Sequence, residues 1–247
     1  MIYIHPIGGL GNIFFQIASI WTLAKDNDDE LSLLNVDKCF NFLISADRGS
    51  LNYILNRFPH KISCTNKVYY PFHYIPIIYK KEYEYIGYFQ CERYFKHRRN
   101  EILELFKPAD EFNNEIKKYQ DLFNNISLHV RHGDYYDLSD VYFIQTIEYY
   151  QNALSYLPKD LKVLVFSDDL KWCRENFIGE RFIFIGETDY ISIYIMSKMK
   201  YHIIANSSFS WWGAWISDNN NNVVAPKMWF NGIFSDVDLI PNNWIRI

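Results

Sequence analysis

Short apolar runs alternate with segments of helical period along the whole 247-residue chain, and this alternation narrows the fold more than any other feature. An apolar run of four or five residues buries both faces only if helices cover it, so the pattern builds parallel sheets with helices on either side. In the first half the spacing predicts a strand over 2–5, a glycine turn, and a helix over 12–25 with Phe14, Ile17, Ile20 and Trp21 on one face. A strand over 31–34 and a helix over 92–106, with Tyr94, Ile102, Leu105 and Phe106 facing inward, follow. Residues 64–88, rich in Tyr, Ile and Pro, show no clean period and read as short strands and irregular loops.

The second half is more regular. Strands are predicted over 126–130, 162–166, 182–185, 202–205 and 223–225, and helices over 142–156, 170–176, 190–199 and 210–216, which together make a doubly wound unit. Charged and Asn-rich residues over 110–125 separate the halves. The expected organisation is an α/β lobe over 1–121 and a Rossmann-like lobe over 122–247. With 49% hydrophobic residues there is material for a core in each.

Composition excludes several functions. The chain has 25 basic against 29 acidic side chains, a net charge of −4, whereas a nucleic-acid binder carries a basic excess. Its 19 Phe, 7 Trp and 20 Tyr supply core filler and flat rings that can stack on sugars or bases. Cys39, Cys64, Cys91 and Cys173 form no metal or disulfide pattern and read as reduced thiols of a cytosolic-type compartment. The uncharged apolar segment 14–24 is too short to span a bilayer, and Ile2-Tyr3-Ile4 lacks the basic flank of a signal peptide. The expectation is a soluble cytoplasmic protein without a transmembrane segment, peripheral at most to a membrane that carries its substrate.

In an open α/β sheet, ligands bind beyond the carboxyl ends of the strands. Four loops at such positions are polar here. Gly8-Gly9-Leu10-Gly11-Asn12 opens into a helix, and its glycines let amides approach an anion, although a merely tight turn gives the same sequence. In His129-Val130-Arg131-His132-Gly133-Asp134-Tyr135, Arg131 can pair bidentately with phosphate while Asp134 orients it, or the two can form a salt bridge that fastens the loop. Asp168 and Asp169, after Ser167, can accept from a guanine or a ribose, and the same triplet suits a helix N-cap. Asn206, Ser207, Ser208 and Phe209 precede a Trp-Trp-Gly-Ala-Trp helix, where small hydroxyl residues suit a diphosphate or cap the helix. Together the four loops point to one anionic, nucleotide-diphosphate ligand between two lobes. No residue set has metal-ligand spacing, and Asp236-Val237-Asp238 reads as a solvated loop.

The segments GGLGN at 8–12, GYFQ at 87–90, HVRHGDY at 129–135, FSDD at 166–169, IIANSSFSWWGAW at 203–215 and IPNNWIRI at 240–247 resemble, in order, those of the bacterial-type α1,2-fucosyltransferases. The resemblance implies an inverting, metal-independent transferase of the GT-B architecture that needs no cofactor and uses GDP-β-L-fucose as donor. By similarity, Arg131 binds the diphosphate with His129 on the same segment. Asp168 or Asp169 takes the guanine, and Asn206, Ser207, Ser208 and Phe209 line the phosphate side. The second lobe, 122–247, holds the GDP-fucose, Gly9, Gly11 and Asn12 close over the donor from the first lobe, 1–121, which is the acceptor side, and the acceptor is a glycan with terminal β-linked galactose. Two departures accompany the match: His132 stands where the family has a second arginine, and Ile13 follows Asn12 where the family has Gln.

The implied reaction is direct displacement at fucose C1, with Arg131 meeting the charge that develops on the departing GDP. His132, Asp134, Asp137 and His5 are the candidate general bases, and spacing does not choose among them. Two other readings use the same residues: a catalytically silent sugar-nucleotide or glycan-binding module, and a transferase of another GDP-sugar such as GDP-mannose. The sequence leaves the oligomeric state open.

Overall fold

Among the described residues, every pairing between strands is parallel, and the strands form two separate sheets. The structure, a computed structural model, describes residues 1–36, 48–232 and 234–247. Cys39 lies outside them. The chain divides into one unit of residues 1–109 with 237–239 and another of 110–236 with 240–247.

In the first unit β1 (Ile2–Ile4), β2 (Leu31–Leu34), β3 (His60–Lys61), β4 (Lys67–Tyr69) and β5 (Glu84–Ile86) are ordered β3-β2-β1-β5-β4. The irregular 64–88 segment supplies β4 and β5, two three-residue strands too short to show a period. Helix α1 (Leu10–Asp26) starts two residues earlier than its apolar period suggests, with Gly9 as N-cap. It is buried on most of its surface, and Phe14 stacks on Phe106 at 4.2 Å. Trp21, expected to face inward, is instead half-buried, with the Lys25 ammonium 5.6 Å from its ring centre. After α2 (Arg48–Leu55), the expected 92–106 helix is broken. Short 3-10 turns at Glu92–Tyr94 and Lys96–Arg98 precede α3 (Arg99–Leu105), because Phe95 leaves the helical region at φ −140°. Its ring is fully buried, 6.0 Å from that of Phe15, so core packing overrides helical propensity.

The second unit holds β6 (Ile126–Val130), β7 (Val163–Ser167), β8 (Phe182–Ile185), β9 (Tyr201–Ile203), β10 (Val223–Ala225) and β11 (Ile245–Arg246). Their order, β8-β7-β6-β9-β10-β11, is the Rossmann order in which the winding reverses between the first and fourth strands, here β6 and β9. All five β6 residues are buried, as a central strand covered on both faces requires. The helices are α4 (Asn113–Lys117), α5 (Ile147–Ser155), α6 (Leu170–Asn176), α7 (Asp189–Lys198) and α8 (Ser208–Trp215). Helix α5 begins five residues later than predicted. Residues 142–146 are diverted into loop contacts instead: Tyr142 bridges Phe230, and the Gln145 amide donates to the Met228 carbonyl at 2.6 Å. The tryptophan-rich α8 packs on α7, where a methyl group on Gly213 would lie 3.0 Å from Met196 Cβ.

The 110–125 segment packs with the second unit. The Phe112 ring lies 4.9 Å from that of Tyr190, and the Tyr119 hydroxyl donates to Glu187 at 2.7 Å, so the division falls at 109/110. Asp236 and Asp238 are not free in solvent as expected. Asp236 pairs with Arg246 at 2.6 Å, and Asp238 pairs with Arg93 and accepts the Tyr74 amide at 3.1 Å. No helix among the described residues is long and apolar enough to cross a membrane. The architecture is α/β, of the two-Rossmann-unit GT-B class.

Candidate anion-binding site

Because the winding reverses between β6 and β9, the loops that leave these strands diverge and open a crevice at the carboxyl end of the second sheet. Arg131 follows β6 directly. Its Nη1 lies 2.7 Å from Asp168 Oδ2, at the end of β7, and its Nη2 lies 2.6 Å from Asp134 Oδ1. Tyr135 completes the seat, with the guanidinium 5.3 Å from its ring centre and its hydroxyl donating to the Asn206 carbonyl at 2.9 Å. That last bond ties the loop after β6 to the loop after β9. Partial burial works against a charged guanidinium, but Asp168 and Asp134 outweigh it and raise its pKa, so Arg131 is a permanent cation. Its side chain is 28% exposed, which leaves one edge toward the crevice.

Two readings of this segment were open from sequence, and the geometry holds both features at once: a salt bridge that fastens the loop, and a cation fixed in orientation at the switch point. Asp168 and Asp169 divide their work differently from the expectation. Asp168 is occupied within the loop, since its Oδ1 accepts the His132 amide at 2.9 Å and its Oδ2 holds Arg131. Asp169 caps α6, accepting the Trp172 amide at 3.0 Å.

His132 was expected to serve as a second cation or as a base, and its ring is enclosed. Nε2 donates to the Gln145 carbonyl at 3.2 Å, Nδ1 accepts from the Tyr136 hydroxyl at 3.2 Å, and Trp172 packs edge-on at 4.4 Å. A ring with 1% exposure and both nitrogens engaged does not reach an acceptor hydroxyl. His129 is likewise internal. Burial, with the nearby Arg131 charge, pushes its pKa down to about 3, so the ring is neutral, and it packs 5.3 Å from Phe209. Among the described residues its Nδ1 has no hydrogen-bond partner.

On the other wall, Ser207 caps α8 by accepting the Phe209 amide at 3.3 Å, and Ser208 starts the helix, so the positive end of α8 and two hydroxyl side chains lie at the carboxyl end of β9. Asn206, expected to contact the ligand, is a fastener. Its side chain is fully buried, and its amide donates to the carbonyls of Phe143 at 2.7 Å and Trp229 at 2.9 Å.

In the first unit Gly8 has φ +84°, and a methyl group there would lie 2.7 Å from Asn12 Nδ2, so both conformation and space demand glycine. Gly9 is exposed and Gly11 buried. The Asn12 side-chain Oδ1 accepts from the Gln90 side-chain amide at 2.7 Å, which joins the GGLGN and GYFQ segments. His5 lines a pocket of this unit.

Gly133 is a further residue of the site that its residue type alone does not mark. A Cβ there would meet Asp168 Oδ2 at 2.4 Å, so its missing side chain is what admits the carboxylate to Arg131. Its place between His132 and Asp134 is the only sequence signal for it.

The model of glycosyl transferase family 11 matches residues 52–247. An α-1,2-colitosyltransferase of Escherichia coli is 32% identical over 97% of this chain and 96% of its own. The galactoside α-(1,2)-fucosyltransferase 2 of Oryctolagus cuniculus is 22% identical over 99% of this chain and 76% of its own. Among solved structures, the α-1,6-fucosyltransferase NodZ co-crystallized with GDP aligns with a TM-score of 0.55 at 14% identity, covering 87% of this chain and 92% of that one.

Proposed function

The chain belongs to glycosyl transferase family 11, and from that premise we propose that it moves L-fucose from GDP-β-L-fucose to the 2-hydroxyl of a galactoside, with inversion at the anomeric carbon. The observation that carries the reading is Arg131, a fixed cation at the switch point of a Rossmann sheet, in a loop that Tyr135 ties to Asn206, just before the N-terminus of α8. A departing diphosphate needs such a seat. As the acceptor oxygen bonds to C1 and the bond from C1 to the β-phosphate oxygen breaks, negative charge grows on the diphosphate. Arg131 and the donors of 207–209 then bind it more strongly than they bind the intact donor. Of the loop's candidate bases, Asp134, one third exposed and held by Arg131, and the exposed Asp137 present carboxylates at the surface, whereas His132 is enclosed.

A second reading concerns the donor sugar. The 32%-identical relative is named for colitose, which is L-fucose without its 3-hydroxyl, so GDP-colitose is the competing donor. The deciding experiment incubates the protein with GDP-fucose or GDP-colitose and a panel of galactosides, and reads released GDP and product linkage by NMR. A product linked to O2 from one donor supports the reading and selects between the sugars. Failure of both donors to release GDP in the presence of every acceptor overturns it in favour of a silent binding module.

A further inference from the structure

Where the family has a second arginine this chain has His132, and the exchange changes what the neighbours of that position can do. An arginine beside Asp169 would draw its carboxylate into an ion pair. His132 does not. Its Nδ1 lies 4.0 Å from Asp169 Oδ2, past hydrogen-bond reach, and accepts from the Tyr136 hydroxyl at 3.2 Å instead. Asp169 commits its Oδ1 to the Trp172 amide at 3.0 Å, and its side chain keeps 28% exposure. The hydroxyl bond also pins Tyr136. Its ring stands 5.4 Å from that of His132, which Trp172 backs edge-on at 4.4 Å, while half of Tyr136 stays in water. A ring that is exposed yet held from behind suits stacking, because little freedom is left to lose when a flat ligand settles on it. The ring and Arg131 share one support, since Asp168 accepts the His132 amide through Oδ1 and holds Arg131 through Oδ2.

A carboxylate oxygen beside a flat apolar face selects a ring that stacks and carries adjacent donors on its edge. Guanine has that edge in its N1–H and 2-amino groups, whereas adenine sets one donor next to an acceptor nitrogen. We infer that Tyr136 and Asp169 form a base-recognition ledge, Tyr136 stacking on the guanine of a guanosine diphosphate and Asp169 Oδ2 accepting from its N1–H and 2-amino groups. His132 builds the ledge, pinning the ring and leaving Oδ2 unclaimed by the side chain at position 132. The exchange of arginine for histidine thus gives up a phosphate cation and supplies a reader of the base. The ledge rests on the GDP-sugar reading for the nucleotide whose diphosphate sits at Arg131.

The test is isothermal titration calorimetry of the full chain with GDP and with IDP, which lacks the 2-amino group, beside circular dichroism. Wild type is expected to bind GDP about tenfold more tightly than IDP, the effect of one hydrogen bond to a charged acceptor. Asp169→Asn keeps an oxygen for the Trp172 amide, and so the helix cap, and is expected to bring the ratio near one. Tyr136→Leu is expected to weaken both nucleotides by about tenfold and to leave their ratio intact. His132→Arg, which restores the family's cation, is expected to lower the ratio as Asp169→Asn does, because the arginine takes the outer oxygen. Equal binding of GDP and IDP by wild type, an unchanged ratio in Asp169→Asn, full GDP affinity in Tyr136→Leu, or a folded His132→Arg that discriminates as wild type does overturns the inference. If these dependences hold while no GDP-sugar is turned over, the ledge stands and the transferase reading falls. If GDP-fucose is turned over while every variant binds as wild type does, the reverse holds.

Discussion

Asp168 grips Arg131 from the neighbouring strand end, Oδ2 to Nη1 at 2.7 Å, while its other oxygen accepts the His132 amide at 2.9 Å. The cation is therefore aimed by a carboxylate that is itself anchored to the backbone of the cation's own loop. Charge and direction at this site are set by separate residues, and they can be removed separately.

Arg131→Ala removes the charge and is expected to lower turnover by about 10² to 10³. Arg131→Lys recovers little of it, because an ammonium cannot reproduce the planar fork held by two carboxylates. Asp168→Asn keeps an oxygen for the His132 amide but loosens the grip, and a fall of roughly tenfold in kcat with the fold intact is expected, since misaimed groups lose rate steeply. Steady-state kinetics beside circular dichroism check all three. Near-normal kcat in Arg131→Ala removes Arg131 from the reaction.

Gly133→Ala places a methyl group 2.4 Å from Asp168 Oδ2. The carboxylate must swing away, so activity falls as in Asp168→Asn, while stability drops by about 1–3 kcal/mol at most because the displaced atoms end a side chain. Kinetics and urea denaturation separate the two effects. The double variant Gly133→Ala/Asp168→Asn is expected to be little worse than either single one.

Gly213→Ala tests the seam between α7 and α8, where the new methyl group meets Met196 Cβ at 3.0 Å and its Cε at 3.2 Å. Overpacking of this kind costs about 1–3 kcal/mol. For a chain of this size that is a fall in Tm of roughly 2–4 °C per kcal/mol. Met196→Ala in the same background keeps the Cβ contact but removes those with Cε and Sδ at 3.2 and 3.4 Å, and is expected to restore part of the Tm in differential scanning fluorimetry.

Acid stability follows from two internal histidines. Burial pushes His129 and His202 down to about 3, whereas both titrate near 6.5 once unfolded. The unfolded chain thus binds more protons below pH 6.5, and the stability is fully present above that value and lost progressively as the pH falls toward 3. At pH 5 the loss is about 2 kcal/mol for each histidine. Chemical denaturation from pH 7.5 to 5 should show it, with a shallower slope in His202→Gln. An unchanged slope removes His202 from the account.

The doubly wound second unit is legible because its longer strands are short β-rich stretches between turn signals, ISLHV at 126–130 and FIFI at 182–185, and both can be read from the sequence to the residue. The helix start at 147 was not legible. Tyr142 and Phe143 carry a good helical period, and partners far along the chain, Asn206, Trp229 and Phe230, divert them. The break at Phe95 was hidden for the same reason, its partner Phe15 lying 80 residues away.

At the site, the sequence marked which loops gather at the strand ends better than what each side chain contacts. Arg131, Asp134, Asp168 and Ser207 are brought to one crevice through Tyr135 and the strand ends, as their positions after strands suggested. Polar residue types alone do not distinguish a group that faces a ligand from one that fastens a loop. Asn206 has the inventory of a phosphate donor and spends it on the Phe143 and Trp229 carbonyls, a choice fixed by burial and not by composition.

The brief return of 237–239 to the first unit bears on how this enzyme can be recombined. A chimera made with a single crossover at 109/110 would bring in a foreign first unit but keep the native Asp238, while separating it from its Arg93 and Tyr74 partners. Lobe exchange among relatives therefore calls for a second graft near the C-terminus, and hybrids lacking it should express as poorly packed chains however compatible their sheets.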